Sequence, residues 1–489
     1  MRSSYKQIAK SSGIVGFVSI FQMSFSLLRN KAIALLLGAK GFGVYGMYQV
    51  FIETAITFST LGLDKSGVRH ISKHNDNLIL RNNSIQVFRK SIFIVSLFIS
   101  IICAVFCKQI SVSLFETDDY YIGIIICCVV VFVRCVSQGQ ISVLNGIRDL
   151  RSLALSQISA AVIGSSLSVA FVYFLGFDGL ALSFLSFGVA SICFSYFFLR
   201  KHSLTAEKLS FGEFISQFKE LVYLGLGFSI AGAIASLFTY LARTYINFEF
   251  SLDIVGVYQA CWLISNLYIG IILNAMGVDF MPRLMRVVSD KKEVNRLVNE
   301  QMEIGTLLSG IGVVFIVCFS DIILQLLYSS EFAQGADIIK WQVLGVSLRV
   351  LGFPLAHSVM AFNKPFIYVL IQGVFALVEY ILLVFFTNYY GFDGLGINYF
   401  VAYLVFMAMW ICATRYLFNF RFSKKLKAVL ALTWMAILLA NAIVYFTDGI
   451  LTYVLGMVFG LFYFLIITYV LKKTMGLDIL SIVLKKIKK

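Results

Sequence analysis

The chain has 489 residues, 60% of them hydrophobic and only 13% charged, and its mean hydropathy is +0.89. A soluble domain carries about 25% charged residues, so this chain cannot cover itself with polar groups, and an ordinary soluble enzyme is excluded. The net charge of +15 does not call for nucleic acid, because the basic residues sit in short loops between apolar runs, where they set topology and meet anionic lipid.

At about 20 apolar residues per crossing, the sequence predicts fourteen transmembrane helices. No cleavable leader is expected, since Arg2, Lys6 and Lys10 precede a stretch long enough to span. Spans one and two centre near Phe25 and Thr54, and a basic segment follows over 65–90. Spans three and four centre near Leu97 and Val131, with Glu116, Asp118 and Asp119 between them and Arg148 and Arg151 after. Spans five and six, near Gly164 and Gly188, flank the tetrapeptide GFDG at 176–179 and lead to Arg200, Lys201, Lys208 and Lys219. Spans seven to twelve centre near Ala231, Ser265, Val314, Leu351, Ala376 and Leu404, with GFDG again at 391–394. The last two lie near Met435 and Leu461, before the basic tail MGLDILSIVLKKIKK. Basic loops alternate with loops nearly free of Lys and Arg, which places both termini in the cytoplasm. The nine cysteines all fall in apolar runs, without zinc-like spacing, and read as packing residues.

The second GFDG stands 215 positions after the first, and other anchors share that offset. Gly62-Leu-Asp64 matches Gly277-Val-Asp279, and Gln157 matches Gln372. Gly43-Val-Tyr45 matches Gly256-Val-Tyr258 at 213, and Arg29 matches Arg243 at 214. These matches predict a duplication, with lobes at 1–210 and 211–425 and an added pair of helices in 426–489. Six spans return the chain to its starting side, so the copies are parallel, related by an axis along the membrane normal, as in two-lobed alternating-access transporters. GFDG reads as an external turn in which glycine supplies positive φ and aspartate bonds the turn backbone.

A charge inside the bilayer costs about 2.5–3.5 kcal/mol on insertion scales, so intramembrane ionisable residues are functional candidates. Those of span one are Arg29 and Lys31; Arg134 lies mid-span four, Arg243 near the end of span seven, and Arg349 mid-span ten. Glu53 and Glu379 are the acids, and either serves equally as a structural partner for an arginine or as an ion-coupling group. His357 reads as a satisfied interior histidine. Arg29 lies about 12 Å from the end of its span, too deep for comfortable snorkelling. Cations outnumber acids, so the expected cargo is an anion, and arginine's fork favours phosphate. No loop is long enough for a catalytic domain, which argues against a membrane glycan polymerase or ligase. No GxxxxGK[ST] loop is present to use ATP, so the expected energy source is the membrane potential, with H⁺ or Na⁺ antiport at Glu53 as a second scheme.

The stretches LLLGAKGFGVYGMYQ, TLGLDKSGVRHISK, LNGIRDLRSLALSQ and YYGFDGLGINY resemble the polysaccharide-translocase branch of the MOP exporter superfamily, which includes O-antigen flippases. The resemblance implies an all-α, MATE-like polytopic fold in a bacterial inner membrane. It implies transport of an undecaprenyl-diphosphate-linked oligosaccharide to the periplasmic leaflet, alongside a polysaccharide polymerase and a chain-length regulator. The family's cavity-lining basic residues correspond here to Arg29 and Arg243. Within the superfamily, a lipid II-type flippase and a multidrug or cation antiporter are the alternatives, although a cavity for cationic drugs should be rich in acids.

Overall fold

The computed structural model describes residues 2–60, 62–74, 77–202 and 210–475, with side chains from 16 onward except at 224, 226–228, 275, 278, 279, 474 and 475. Lys208, the tail after 475, and the side chains of Arg2, Lys6, Lys10 and Asp279 lie outside the described residues. Among those described, every regular element is helical. Ten segments are long and apolar enough to cross a membrane. Three of these run to 45, 50 and 54 residues. Unbroken they would reach about 68–81 Å, more than twice a hydrocarbon core of about 30 Å. Each is interrupted near its middle.

The first, α1 (Arg2–Thr60), breaks at Gly38, where φ is 66°. The other two breaks are the repeated GFDG turns. Gly176 and Gly391 take φ of 59° and 55°, left-handed values that glycine alone adopts without cost. They open single 3₁₀ turns, Gly176–Asp178 and Gly391–Asp393. The second glycine of each turn has a different reason: a Cβ on Gly179 would collide with the Phe171 carbonyl, and one on Gly394 with the Phe386 carbonyl. The expected aspartate bond is not made, since neither Asp178 nor Asp393 caps the next helix through its side chain. Backbone N–H groups of Gly179 and Gly394 close the turns instead.

The chain packs as two compact units, Met1–Gln259 and Ala260–Lys489. In the first, α1 is joined by α2 (Leu63–Lys73), α3 (Leu78–Val105), α4 (Cys107–Phe115), α5 (Tyr121–Gly146), α6 (Leu150–Leu175), α7 (Gly179–Leu199) and α8 (Phe211–Glu249). Helices α6 and α7 form a hairpin across the first GFDG turn, α5 lies on α7, and α8 packs on α1, α2, α3 and α4. Helix starts follow side-chain signals: Asn77 accepts from Ile79 and Leu80, Asp149 from Ser152, and Ser210 forms a capping box with Glu213.

Large apolar side chains are exposed as well as buried. Phe98, Phe174 and Tyr223 are 63%, 78% and 81% exposed, while serines fill the helix contacts. Ser137 Oγ lies 2.6 Å from Ser191 Oγ, Ser168 donates to the Ser183 carbonyl at 2.6 Å, and Ser195 donates to Gln140 Oε1 at 2.6 Å. In lipid, small residues let helices close up, hydroxyls bond across them, and the bulky apolar side chains face hydrocarbon.

One contact in this unit joins repeat-equivalent positions. The first turns of α9 (Leu252–Val287) cross α1 so closely that a Cβ on Gly43 would strike the Leu252 carbonyl, and one on Gly256 the Ala39 carbonyl. Gly43 pairs with Gly256, and Ala39 with Leu252, at the same 213-residue offset. Each helix thus presents a glycine to a carbonyl of the other. Beside it, Gln259 Nε2 donates to Gln49 Oε1 at 3.1 Å.

In the second unit, α10 (Lys291–Leu327), α11 (Ala336–Ala361) and α13 (Gly394–Phe418) form the core, and α12 (Pro365–Tyr390) makes a hairpin with α13 across the second GFDG turn. Helices α14 (Lys424–Phe446) and α15 (Ile450–Met475) pack on α10. Lys425 pairs with buried Glu303 at 2.9 Å, Ser423 donates to Glu303 at 3.1 Å, and Tyr453 hydrogen-bonds to Asp321. All nine cysteines are free; six are buried, while Cys193 and Cys412 are exposed.

Candidate functional site

The break at Gly38 lets both halves of α1 line one polar cavity of about 180 Å³ in the first unit. The first half supplies Gln22 and Arg29, and the second supplies Tyr45, Gln49 and Glu53. Arg134 comes from α5, Ser165 from α6, and Phe184 and Phe187 from α7. The Arg29 guanidinium carbon lies 5.2 Å from the Phe187 ring centre and 5.8 Å from that of Tyr45. Tyr45 is itself held by stacking on Phe184 at 4.6 Å. The buried Nε of Arg29 has no hydrogen-bond partner among the described residues. Aromatic faces stabilise a guanidinium while leaving its in-plane donors free for a ligand.

A second cavity, of about 370 Å³, shares Glu53 and Arg134 with the first. It continues along α1 past Thr57 to Gly62, Asp64 and Lys65, with Ser229, Gly232 and Ser236 of α8 on its wall. Arg134 Nη1 donates to Glu53 Oε1 at 2.7 Å, and the two side chains are 30% and 50% exposed. The ion pair therefore stands in the wall common to both cavities. Among the described lining residues Glu53 is the only acid of the first cavity, and Arg134 already matches it, so the charge of Arg29 has no acid to match it there.

Arg243, the repeat counterpart of Arg29, is only 2% exposed, and its guanidinium carbon lies 4.4 Å from the Tyr258 ring centre. Tyr258 stands 213 positions after Tyr45 in the matching GVY triplet, so an arginine lies against a tyrosine at both matched positions. The copies differ in access: Arg29 lines an open polar cavity, and Arg243 is sealed in. Lys31 is partly buried on α1, outside the described lining of either cavity.

In the second unit, Arg349 Nη1 donates to Asn266 Oδ1 at 2.8 Å, with Tyr399, Tyr403 and Glu379 gathered around it. His357 Nδ1 lies 2.9 Å from the Phe353 carbonyl, one turn back in its own helix. The structure thus brings Arg29, Glu53 and Arg134 to one place and groups Arg349 with Glu379 in another. The reading of intramembrane charges missed Tyr45, Gln49 and Phe187. A signal for Tyr45 was present, because it belongs to the repeated GVY triplet.

The fold is shared with solved membrane transporters. An inward-facing multidrug resistance MATE family transporter of the MOP superfamily superposes with a TM-score of 0.68 at 16% identity, covering 81% of this chain and 95% of that one. The lipid II flippase MurJ in an inward closed conformation superposes at 0.67 and 14% identity, covering 94% and 98%. Drug and lipid transporters fit about equally, so the fold does not choose the cargo. The model of the family described as "Polysaccharide biosynthesis protein" matches residues 32–337, well over half of the chain. The chain belongs to that family. Lipid III flippase of Escherichia coli (strain K12) is 20% identical over 410 residues, covering 82% of this chain and 97% of the relative. A Shigella flexneri protein named for O-antigen transport is 25% identical over 380 residues, covering 74% and 87%.

Proposed function

We propose that this protein is a flippase that carries an undecaprenyl-diphosphate-linked oligosaccharide, an O-antigen or similar surface-polysaccharide repeat unit, from the cytoplasmic to the periplasmic leaflet by alternating access. The observation that carries the reading is Arg29, a permanently charged fork with unused donor capacity in a polar cavity whose one acid is already paired. Such a group suits a diphosphate. The family, and relatives named for lipid III flipping and O-antigen transport, support a lipid-linked glycan as cargo. A lipid II-type cargo is the nearest alternative. A cationic-drug antiporter is disfavoured by the net positive lining.

In this reading the chain crosses the membrane fourteen times with both termini cytoplasmic. The duplicated lobes are 1–210 and 211–425, with 426–489 added. The reciprocal crossing at Gly43 and Gly256 supports that duplication. Transport runs on the membrane potential: two diphosphate charges moving outward gain about 5 kcal/mol at 100 mV. Exchange of H⁺ or Na⁺ at Glu53, with Glu379 as a second candidate, is the competing scheme. A polymerase and a chain-length regulator would receive the product.

The test is complementation in cells lacking their own repeat-unit flippase. Restored surface glycan with unchanged drug susceptibility supports the reading. Unrestored glycan with raised drug resistance supports the antiporter.

A further inference from the structure

One cavity of the first unit lies outside the site above. It is a groove of about 490 Å³ between α3 and α5. Arg89, Lys90 and Gln86 line one part of it, and Phe93 and Val136 another. Gly139 of α5 lets α3 pack closely beside the groove, since a Cβ there would lie 3.0 Å from the Ile92 side chain. Both basic residues are exposed, and no acidic residue is among the described lining.

The order of residues along α3 sets the chemistry. Before 91 the helix is polar, with Arg81, Asn82, Asn83, Gln86, Arg89 and Lys90; from 91 to 105 it carries no charge. Arg89 and Lys90 therefore stand where charge gives way to hydrocarbon, at headgroup level on the side of the basic loops. Phe93, one turn further, is 48% exposed at the depth of the first acyl carbons. The volume falls within the 300–1,000 Å³ of small-molecule sites. A polar ligand without a tail would leave the apolar part unused, and a neutral headgroup would leave two cations unmatched.

We propose that this groove binds one anionic glycerophospholipid of the cytoplasmic leaflet, its phosphate on Arg89 and Lys90 and an acyl chain against Phe93 and Val136. The lipid is a resident ligand of the fold, distinct from the cargo held at Arg29. Basic pockets between helices on the cytoplasmic side suit such headgroups.

The test uses purified full-length protein in detergent, with phosphatidylglycerol and phosphatidylcholine added separately and bound lipid counted by native mass spectrometry. Wild type is expected to keep one phosphatidylglycerol in preference to phosphatidylcholine. Arg89→Ala with Lys90→Ala should weaken its retention about thirtyfold, from about fivefold per basic residue at an anionic surface. Val136→Trp, which fills the groove without touching its charge, should also lose the lipid, and Arg29→Ala should keep it. Equal retention of the two lipids by wild type, or undiminished phosphatidylglycerol on the double variant, overturns the proposal. So does displacement of the lipid by equimolar undecaprenyl diphosphate, which would make the groove part of the cargo path. If both groove variants fail to fold, the wild-type preference and the displacement experiment still decide.

Discussion

Arg29 and Glu53 share one cavity, but their surroundings give them different behaviour. Arg29 rests on Phe187 and Tyr45 with an unused donor, so its substitution should affect cargo more than stability. A hydrogen bond to a charged group contributes about 1.5–3 kcal/mol. Arg29→Ala should therefore slow transport by roughly 10- to 150-fold at unchanged protein level. Arg29→Lys should recover part of the rate, since it keeps charge and loses the fork. Surface glycan measured against membrane-protein abundance checks both. Glu53 and Arg134 are 50% and 30% exposed, so Glu53→Gln should cost less than about 1 kcal/mol of stability. A loss of about 3–5 kcal/mol in detergent unfolding would mark a buried structural pair instead. The depth of Arg29 was legible because a charge stands out in an apolar run. Its aromatic bed was not, because Tyr45 reaches it across the Gly38 break and Phe187 from another helix. The choice of Glu53 as partner for Arg134, 81 positions away, depends on helix rotation, which sequence does not record.

Two features at the scale of elements can be tested by stability. The crossing of α1 and α9 leaves no room for a Cβ at Gly43 or Gly256. Each alanine variant should destabilise by about 1–3 kcal/mol. The double variant should cost less than the sum, because one separation of the helices relieves both clashes. Thermal unfolding of the four proteins closes the cycle, and strict additivity would argue against one shared contact. Helix α2 buries His70, and burial holds its imidazole below the ordinary value of 6.5, against the attraction of Glu220 and with the repulsion of His74 and Lys73. The folded state then binds fewer protons at His70 than the unfolded chain, so stability is complete above the ordinary histidine value and declines as pH falls through it. His70→Gln should flatten that decline in melting temperatures taken across pH 5–8. The basic segment after span two read only as a loop. That α2 is a packed helix was hidden by its charges, which occupy one face while Leu63, Ile71 and His70 bury the other.

For the whole molecule, the all-helical membrane fold was legible from apolar run lengths, and the GFDG turns from glycine. The role of the turn aspartates was misread, because steric closeness at Gly179 and Gly394 is invisible until the helices are packed. The packing of α8 inside the first unit likewise follows from contacts with α1 to α4 that no repeat offset encodes. Potential-driven transport makes a prediction at this scale. With no pH or Na⁺ gradient, reversing a valinomycin-set potential across liposomes should change the flipping rate. A rate indifferent to potential but controlled by an imposed H⁺ or Na⁺ gradient would transfer the coupling to Glu53. The central claim is tested most directly by following a fluorescent undecaprenyl-diphosphate oligosaccharide in liposomes carrying purified wild type or Arg29→Ala, with an accessible-leaflet quencher. The account predicts rapid transfer by wild type and transfer slowed by roughly 10- to 150-fold in the variant. Transfer at the level of protein-free liposomes by wild type, or equal transfer by both proteins, would contradict it.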